Sequence, residues 1–331
     1  MNFKKTSQIF IIILFLVTSY FLLVPRKAMS QGFSLSITPP LVEITIRPGE
    51  KILYTFDIEN HSSAPVTLQA GIASFSPTDE HGHIQINSSQ SNQSVPNFFS
   101  LLNAHLDLDQ SFTLKSHEKR QLILRIKIPD QTAEQDYYQT FLLQQIDSQQ
   151  INTDNSTRFL GGIGSNILLT VSQSGSPQKE VEIIEFHPQN LILGKFVDSL
   201  KPIKMILRLK NTGHAFFKPI GDISFQKTNA SKDDQSISST LRSENILPDT
   251  IRTIKCLHGN CQLQNPPLLG SYQAQLNFRL EPKGAKKQAR ITFWLLPLQL
   301  IGGVFVSLIL GIFFLILLRK KRLIQNLDKE K

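Results

Sequence analysis

The chain has 331 residues, a formal net charge of +9, 40% hydrophobic residues and two cysteines. This length holds two ordinary domains with accessory segments, and the composition excludes collagen-like, low-complexity and disulfide-dense scaffolds. The charge belongs to the ends: outside residues 1–30 and 319–331 there remain 25 basic and 24 acidic side chains, so the high isoelectric point implies no nucleic-acid partner.

Lys4 and Lys5 precede an apolar run from Ile9 to Val24, and Ala28-Met29-Ser30 supplies the small residues that a signal peptidase reads. Residues 1–30 therefore read as a signal peptide cleaved before Gln31. Arg26 and Lys27 after the run leave an uncleaved N-terminal anchor as the alternative, and both routes export residues 31–292.

From residue 32 to 173 the pattern is that of short strands. Ile52, Tyr54, Phe56 and Ile58 alternate with Lys51, Leu53, Thr55, Asp57 and Glu59 between a Pro48-Gly49-Glu50 turn and an Asn60-His61-Ser62-Ser63 turn. Strands are expected over 66–75, 83–86, 111–114, 121–128, 137–146 and 159–171. In 121–128, Leu122, Leu124, Ile126 and Ile128 share one face. Residues 95–102 read as a buried crossing segment or a helical turn, and Tyr137 or Tyr138 is placed to pin the corner before a late sandwich strand.

Ser172 to Pro177 has the composition of a linker, and a second module runs from 178 to 292. Its strands are expected over 181–186, 203–209, 220–226, 251–256, 272–280 and 289–295, with a polar loop over 229–239. Residues 56–66, FDIENHSSAPV, and 207–217, LRLKNTGHAFF, share alternating hydrophobics, an Asn and a small polar turn, the mark of a duplicated domain type. Many short strands and few helices give an all-β chain of two tandem β-sandwiches.

From Ile291 to Leu318 no side chain is charged, and the part after Pro297 alone is long enough to cross a bilayer. A transmembrane helix is expected over 294–318, flanked by Trp294 at one headgroup layer and by Arg319, Lys320, Lys321 and Arg322 at the other. The cationic cluster assigns residues 319–331 to the cytoplasm, which makes the chain a single-pass membrane protein with its bulk outside and the lipid bilayer as its first partner.

Candidate chemistry is sparse. Asp79-Glu80-His81-Gly82-His83 sets two imidazoles beside two acids, a possible metal pair, against the simpler reading of a hairpin turn with Gly82 in a left-handed conformation. Cys256 and Cys261 are expected as a disulfide in an oxidising exterior, with a C-x4-C metal pair including His258, or two free thiols, as alternatives. Gly161-Gly162-Ile163-Gly164 has neither the Lys-Ser/Thr nor the helix of a phosphate loop. Lys283, Lys286, Lys287 and Arg290 form a basic juncture before the span, read as a solvated turn or as a contact to anionic lipid or wall polymer. No catalytic residue, metal or cofactor is assigned.

The opening SITPPLVEITIRPGE at 36–50, NHSSAPVTL at 60–68 and PDQTAEQDYYQTF at 129–141 resemble the N-terminal immunoglobulin-like domain of bacterial cell-surface proteins of the WxL-interacting type, which implies that the two sandwiches are immunoglobulin-like. In the second module, KNTGH at 210–214, GDISF at 221–225 and LLGSYQA at 268–274 are similar to that family in layout, although this module is shorter than the family's partner-binding domain. The resemblance implies a non-catalytic surface protein whose first domain contacts peptidoglycan and whose second holds a surface-protein partner. A weaker resemblance, in strand pattern only, is to periplasmic pilus chaperones. Two other readings stay open: a metal-dependent hydrolase on a sandwich scaffold, and a chaperone-like delivery factor for exported proteins.

Overall fold

The computed structural model describes residues 34–87, 97–103, 105–146, 159–228, 236–257, 259 and 261–327. Residues 1–30, expected as a signal segment, His258 and residues 328–331 lie outside these, and the side chains of Lys320, Lys321 and Arg322 are not described.

In the first sandwich, one sheet has β1 (Leu35–Thr38), β3 (Lys51–Asn60), β8 (Lys119–Lys127) and β6 (Phe99–Leu101) in the order β1-β3-β8-β6. The other has β2 (Leu41–Ile46), β10 (Phe159–Val171), β9 (Asp136–Ile146), β4 (Val66–Pro77) and β5 (Ile84–Asn87) in the order β2-β10-β9-β4-β5, and β7 (Ser111–Leu114) also pairs with β4. Pro39 and Pro40, which suit strand ends rather than a ladder interior, lie where the chain leaves β1 in one sheet for β2 in the other. The strand orders are those of an immunoglobulin-like sandwich.

The alternation read from the sequence becomes the core. Leu122, Leu124, Ile126 and Ile128 are all fully buried, as are Phe56, opposite Leu122, and Ile58 on the neighbouring strand, and Phe56 meets Phe141 of the facing sheet at 4.9 Å between ring centroids. Each such side chain contributes roughly 1.5–3 kcal/mol by leaving water. Ile52 and Leu53, earlier in β3, stay exposed. Residues 99–101 of the apolar 95–102 segment form β6, paired with β8. The Tyr137 hydroxyl donates to the Ala133 carbonyl at 3.2 Å, the corner bond that the sequence suggested, while the Tyr138 hydroxyl turns to Asp136.

The second sandwich repeats the plan. One sheet holds β11 (Val181–Pro188), β13 (Ile203–Asn211) and β16 (Ile251–Thr253), with β17 (Gln262–Leu263) also on β13. The other runs β12-β19-β18-β14-β15, from β12 (Phe196–Asp198), β19 (Lys287–Leu296), β18 (Gly270–Arg279), β14 (Ile220–Lys227) and β15 (Ile237–Thr240). The residues of β15 begin inside the stretch expected as a polar loop; four residues suffice because they add to the edge of β14.

The duplicated motif has a physical basis in a buried asparagine. Asn60 donates to the carbonyls of Ala64 and Lys115, each at 2.9 Å, and its Oδ1 accepts from the Ser62 amide at 3.0 Å. Asn211 donates to Ala215 and Ile246 carbonyls, and its Oδ1 accepts from the Gly213 amide, all at 2.9 Å. In both sandwiches one amide closes the tight turn and ties it to a neighbouring segment.

The chain ends in α1 (Leu298–Leu327), whose Leu298–Arg319 part is the one helix among the described residues long and apolar enough to cross a membrane. At ~1.5 Å per residue it spans about 33 Å. Its one hydroxyl there, Ser307, donates back to the Gly303 carbonyl at 2.8 Å, which spares a polar group from apolar surroundings. The helix starts later than the sequence suggested. Trp294 to Leu296 complete β19, opposite Ser271 on one side and Phe196 on the other, and only Pro297 ends the ladder.

Candidate functional site

Two features distinguish the molecule from a plain pair of sandwiches: a half-open strand in the first and a seam that locks the two together. The open strand is β10. Its Asn166–Val171 half pairs with β2, while Phe159–Ser165 pairs with β9 on one side and with no strand on the other among the described residues.

The direction of its free groups follows from strand alternation. The Asn166 amide donates outward to the Pro40 carbonyl and the Ser172 amide to Ile46, so two and four residues earlier Gly164 and Gly162 aim their amides at the same open edge. Gly161, Gly162 and Gly164 leave that edge without side chains, a composition that lets a second backbone approach. The Ser165 hydroxyl, fully buried beside them, has no hydrogen-bond partner among the described residues. The glycine-rich run lies on a strand, as expected over 159–171, and the pairing makes that part of the strand an edge.

The seam uses the outer face of the β9-β4 sheet. Phe75 and Leu168 of the first sandwich and Leu247 of the second are buried together, flanked by Ile84, Tyr138 and Phe216. Around this apolar patch stand carboxylates of the first sandwich that reach donors of the second. Glu43 pairs with Lys218 at 2.6 Å and accepts from the Asn245 amide at 2.6 Å. Asp136 accepts from the Phe216 backbone amide at 2.7 Å, and also from Thr170 at 2.6 Å and Tyr138 at 2.8 Å. Burial pushes the Asp136 carboxyl above its ordinary range despite those three donors, and burial likewise raises the Tyr138 phenol.

The Asp79–His83 hairpin is part of the same seam. Asp79 accepts the backbone amides of His81 at 2.8 Å and His83 at 3.0 Å and holds the His83 ring, which keeps its carboxyl well below the usual range. Glu80 takes Arg208 in a two-point pair whose Nε contact is 2.8 Å, and Arg208 also binds Glu185. Arg208 holds the Glu80 carboxyl below its ordinary value, and the two glutamates raise the guanidinium. The Thr253 amide donates to the Glu80 carbonyl at 2.9 Å. Gly82 sits at φ +89°, and a Cβ there would strike the Arg252 guanidinium, so glycine serves both the turn and the close approach of the second sandwich. Of the two acids that looked available to a metal, Glu80 is thus engaged in holding the two sandwiches together and Asp79 in closing its own hairpin.

Cys256 and Cys261 form a disulfide, with both residues buried in the second core. Trp294 is half exposed at the end of β19. Lys287 and Arg290 lie on β19 itself, Lys283 and Lys286 on the turn before it, and the Lys179–Glu281 pair at 2.8 Å ties that turn to the linker side. At ~3.3 Å per residue, Lys287 is about 36 Å along the chain from the helix start at Leu298, so Lys283, Lys286 and Lys287 are at the end of β19 away from the helix. Arg319 is exposed at the far end of the span.

No family model matches the sequence, and no curated protein matches it. Among solved structures the chain is similar to the class 5 fimbriae chaperone CfaA, with 10% identity, 78% of this chain and 99% of that chain covered, and a TM-score of 0.39. It is similar to the E. coli chaperone DraB at 14% identity, 78% and 98% coverage and a TM-score of 0.34. A PapD-like domain of human CEP192 matches at 15% identity over 45% of this chain and 93% of that one, with a TM-score of 0.29. The fold rests on the chain's own strand pairings: an all-β molecule of two immunoglobulin-like sandwiches with one C-terminal apolar helix.

Proposed function

We propose that this is a membrane-anchored, non-catalytic binding protein, displayed outside the cell, that holds an extended segment of another surface protein by strand addition to the open edge of β10. The observation that carries this reading is the unpaired outer side of Phe159–Ser165, with the Gly162 and Gly164 amides aimed into it. Main-chain bonds to such an edge supply affinity without a special pocket. The α1 helix supplies the anchor, and its basic end sets the orientation. The WxL-interacting resemblance agrees with a display role of this kind and adds peptidoglycan as the other ligand of the first sandwich. A partner that is released after delivery would make the same edge a chaperone's.

The test is capture by the anchored full chain, comparing wild type with Gly162→Pro, which removes one outward amide and leaves the β9 side intact. Retention of a surface protein by wild type and its loss in Gly162→Pro, at unchanged melting temperature, is the expected result. Equal retention by both, or retention of purified peptidoglycan alone, would sink strand addition at this edge.

A further inference from the structure

Large apolar side chains are exposed at one end of the second sandwich, and they come from three separate stretches of chain. Leu193 is 84% exposed, Leu269 63%, Leu268 57% and Trp294 50%. Singly exposed leucines are ordinary on protein surfaces, so it is their common location that bears on function. Hydrogen bonds fix that location. The Trp294 amide donates to the Lys195 carbonyl at 2.7 Å, two residues after Leu193, and the Ser199 amide donates to Leu296 at 3.0 Å. The Ser199 hydroxyl donates to the Leu268 carbonyl at 2.7 Å, and Gly270, next to Leu269, is opposite Leu295. All four side chains therefore surround the last residues of β19, from which α1 departs one residue later, and the helix start passes close to β12.

Leu193 carries a second signal. It has φ +50°, in the left-handed region, where a leucine costs roughly 1–2 kcal/mol, yet its side chain gains no burial within the chain. Strain and exposure together are explained if the leucine is buried by something outside the chain. Lys195, Lys201 and Lys204 are exposed on the same stretch, against the single acid Asp198.

We propose that this end of the second sandwich is seated in the bilayer surface, with Leu193, Leu268, Leu269 and Trp294 in the interfacial layer and Lys195, Lys201 and Lys204 on anionic headgroups. The proposal rests on the reading of α1 as a membrane span, and continuity makes lipid the occupant: the patch rings the point where that span begins. Apolar side chains backed by lysines are the composition of an interfacial contact. Seating the sandwich removes the swivel that a lone Pro297 joint would leave, and so fixes how the first sandwich is presented.

The experiment uses the full chain in lipid nanodiscs containing phosphatidylglycerol, with a fluorescent label on Leu193→Cys or, as the control, on Ile220→Cys. Ile220 pairs with Arg279, and the β18–β19 register puts this at the opposite end of the sandwich from Trp294. Both positions are exposed, and the native cysteines are bonded to each other, so folding and labelling are undisturbed. The label at 193 should lose most of its emission to headgroup-region nitroxide lipids, and the label at 220 should keep it. Emission of Trp294, the sole tryptophan, reports through quenching by brominated lipids whether the chain beside the start of α1 meets the bilayer at all. Quenched Trp294 with equal, weak quenching at 193 and 220 overturns the seat and leaves the anchor standing. Unquenched Trp294 overturns both.

Discussion

Asn211→Ala is the sharpest test of how the second sandwich is held. The side chain is fully buried and makes three hydrogen bonds at 2.9 Å, to Ala215 and Ile246 carbonyls and from the Gly213 amide. The Ile246 carbonyl keeps its bond from the Phe217 amide at 3.2 Å, whereas no other bond among the described residues replaces the one to Ala215. At about 1 kcal/mol for each bond, with about 1 more for the orphaned carbonyl, the loss is about 3–4 kcal/mol. For a domain of this size that lowers the midpoint by roughly 15 °C. Urea unfolding of the full chain in detergent, followed by Trp294 emission, reads this sandwich alone, because Trp294 is the only tryptophan and lies on β19. Asn60→Ala should leave that transition in place and weaken the first sandwich instead. A loss below about 1 kcal/mol for Asn211→Ala would refute the claim that the buried amide holds the corner.

Two further outcomes concern the seam and the disulfide. Glu80 has its pKa lowered by Arg208, so its contribution to the seam is complete above the ordinary glutamate value of about 4.3 and fades as pH falls through the lower folded value. Asp136, raised by burial, has the opposite sign: its contribution is complete in acid and is lost as pH rises through its raised value. Spin-label distances between the sandwiches should therefore broaden on acidification below about pH 4, and Glu80→Gln should broaden them already at neutral pH; narrow, pH-independent distances in both would be contrary to the assignment. The disulfide closes a sequence separation of 5, and a loop this short is worth about 2 kcal/mol, so Cys256→Ala with Cys261→Ala should weaken the Trp294-monitored transition by that amount. Alkylation of the reduced pair, followed by mass spectrometry, should require denaturant, because both residues are at most 4% exposed.

What the sequence disclosed was whatever is encoded locally. Alternation at Leu122-Leu124-Ile126-Ile128 and Ile203-Met205-Leu207-Leu209 marked the faces that became cores, and the Asn in each copy of the repeat marked the corner. Three-residue strands such as β6 and β12 gave no such signal, because their pairing is decided by partners far along the chain. Glu80 and Arg208 are 128 residues apart, so nothing local distinguished a seam contact from a metal turn. The sequence leaves the cations at 283–290 between a solvated turn and a lipid contact for a related reason. Neighbours in sequence to a span are neighbours in space only if the intervening chain is compact, and β19 is extended.

The seam bears directly on binding at β10. Ser172 to Pro177 alone is short and polar, and a linker of that kind lets domains swivel. Yet the Leu168 side chain on β10 is buried in the seam patch, and the Thr170 hydroxyl binds Asp136, which in turn holds Phe216 of the second sandwich. The strand whose outer half is unpaired is thus clamped by its other half to the second sandwich. A partner strand adding to Gly162 and Gly164 meets an edge already ordered, so little of its binding energy is lost to ordering the receptor. Fully exposed ion pairs contribute little one at a time, so the clamp depends on the buried Phe75–Leu168–Leu247 contact together with the partly buried pairs around it, Glu80–Arg208 among them. Leu247→Ala should accordingly loosen the two sandwiches, leave each one folded, and weaken capture at β10 without altering a residue of that edge; undiminished capture with a loosened seam would show that the clamp and the edge act independently.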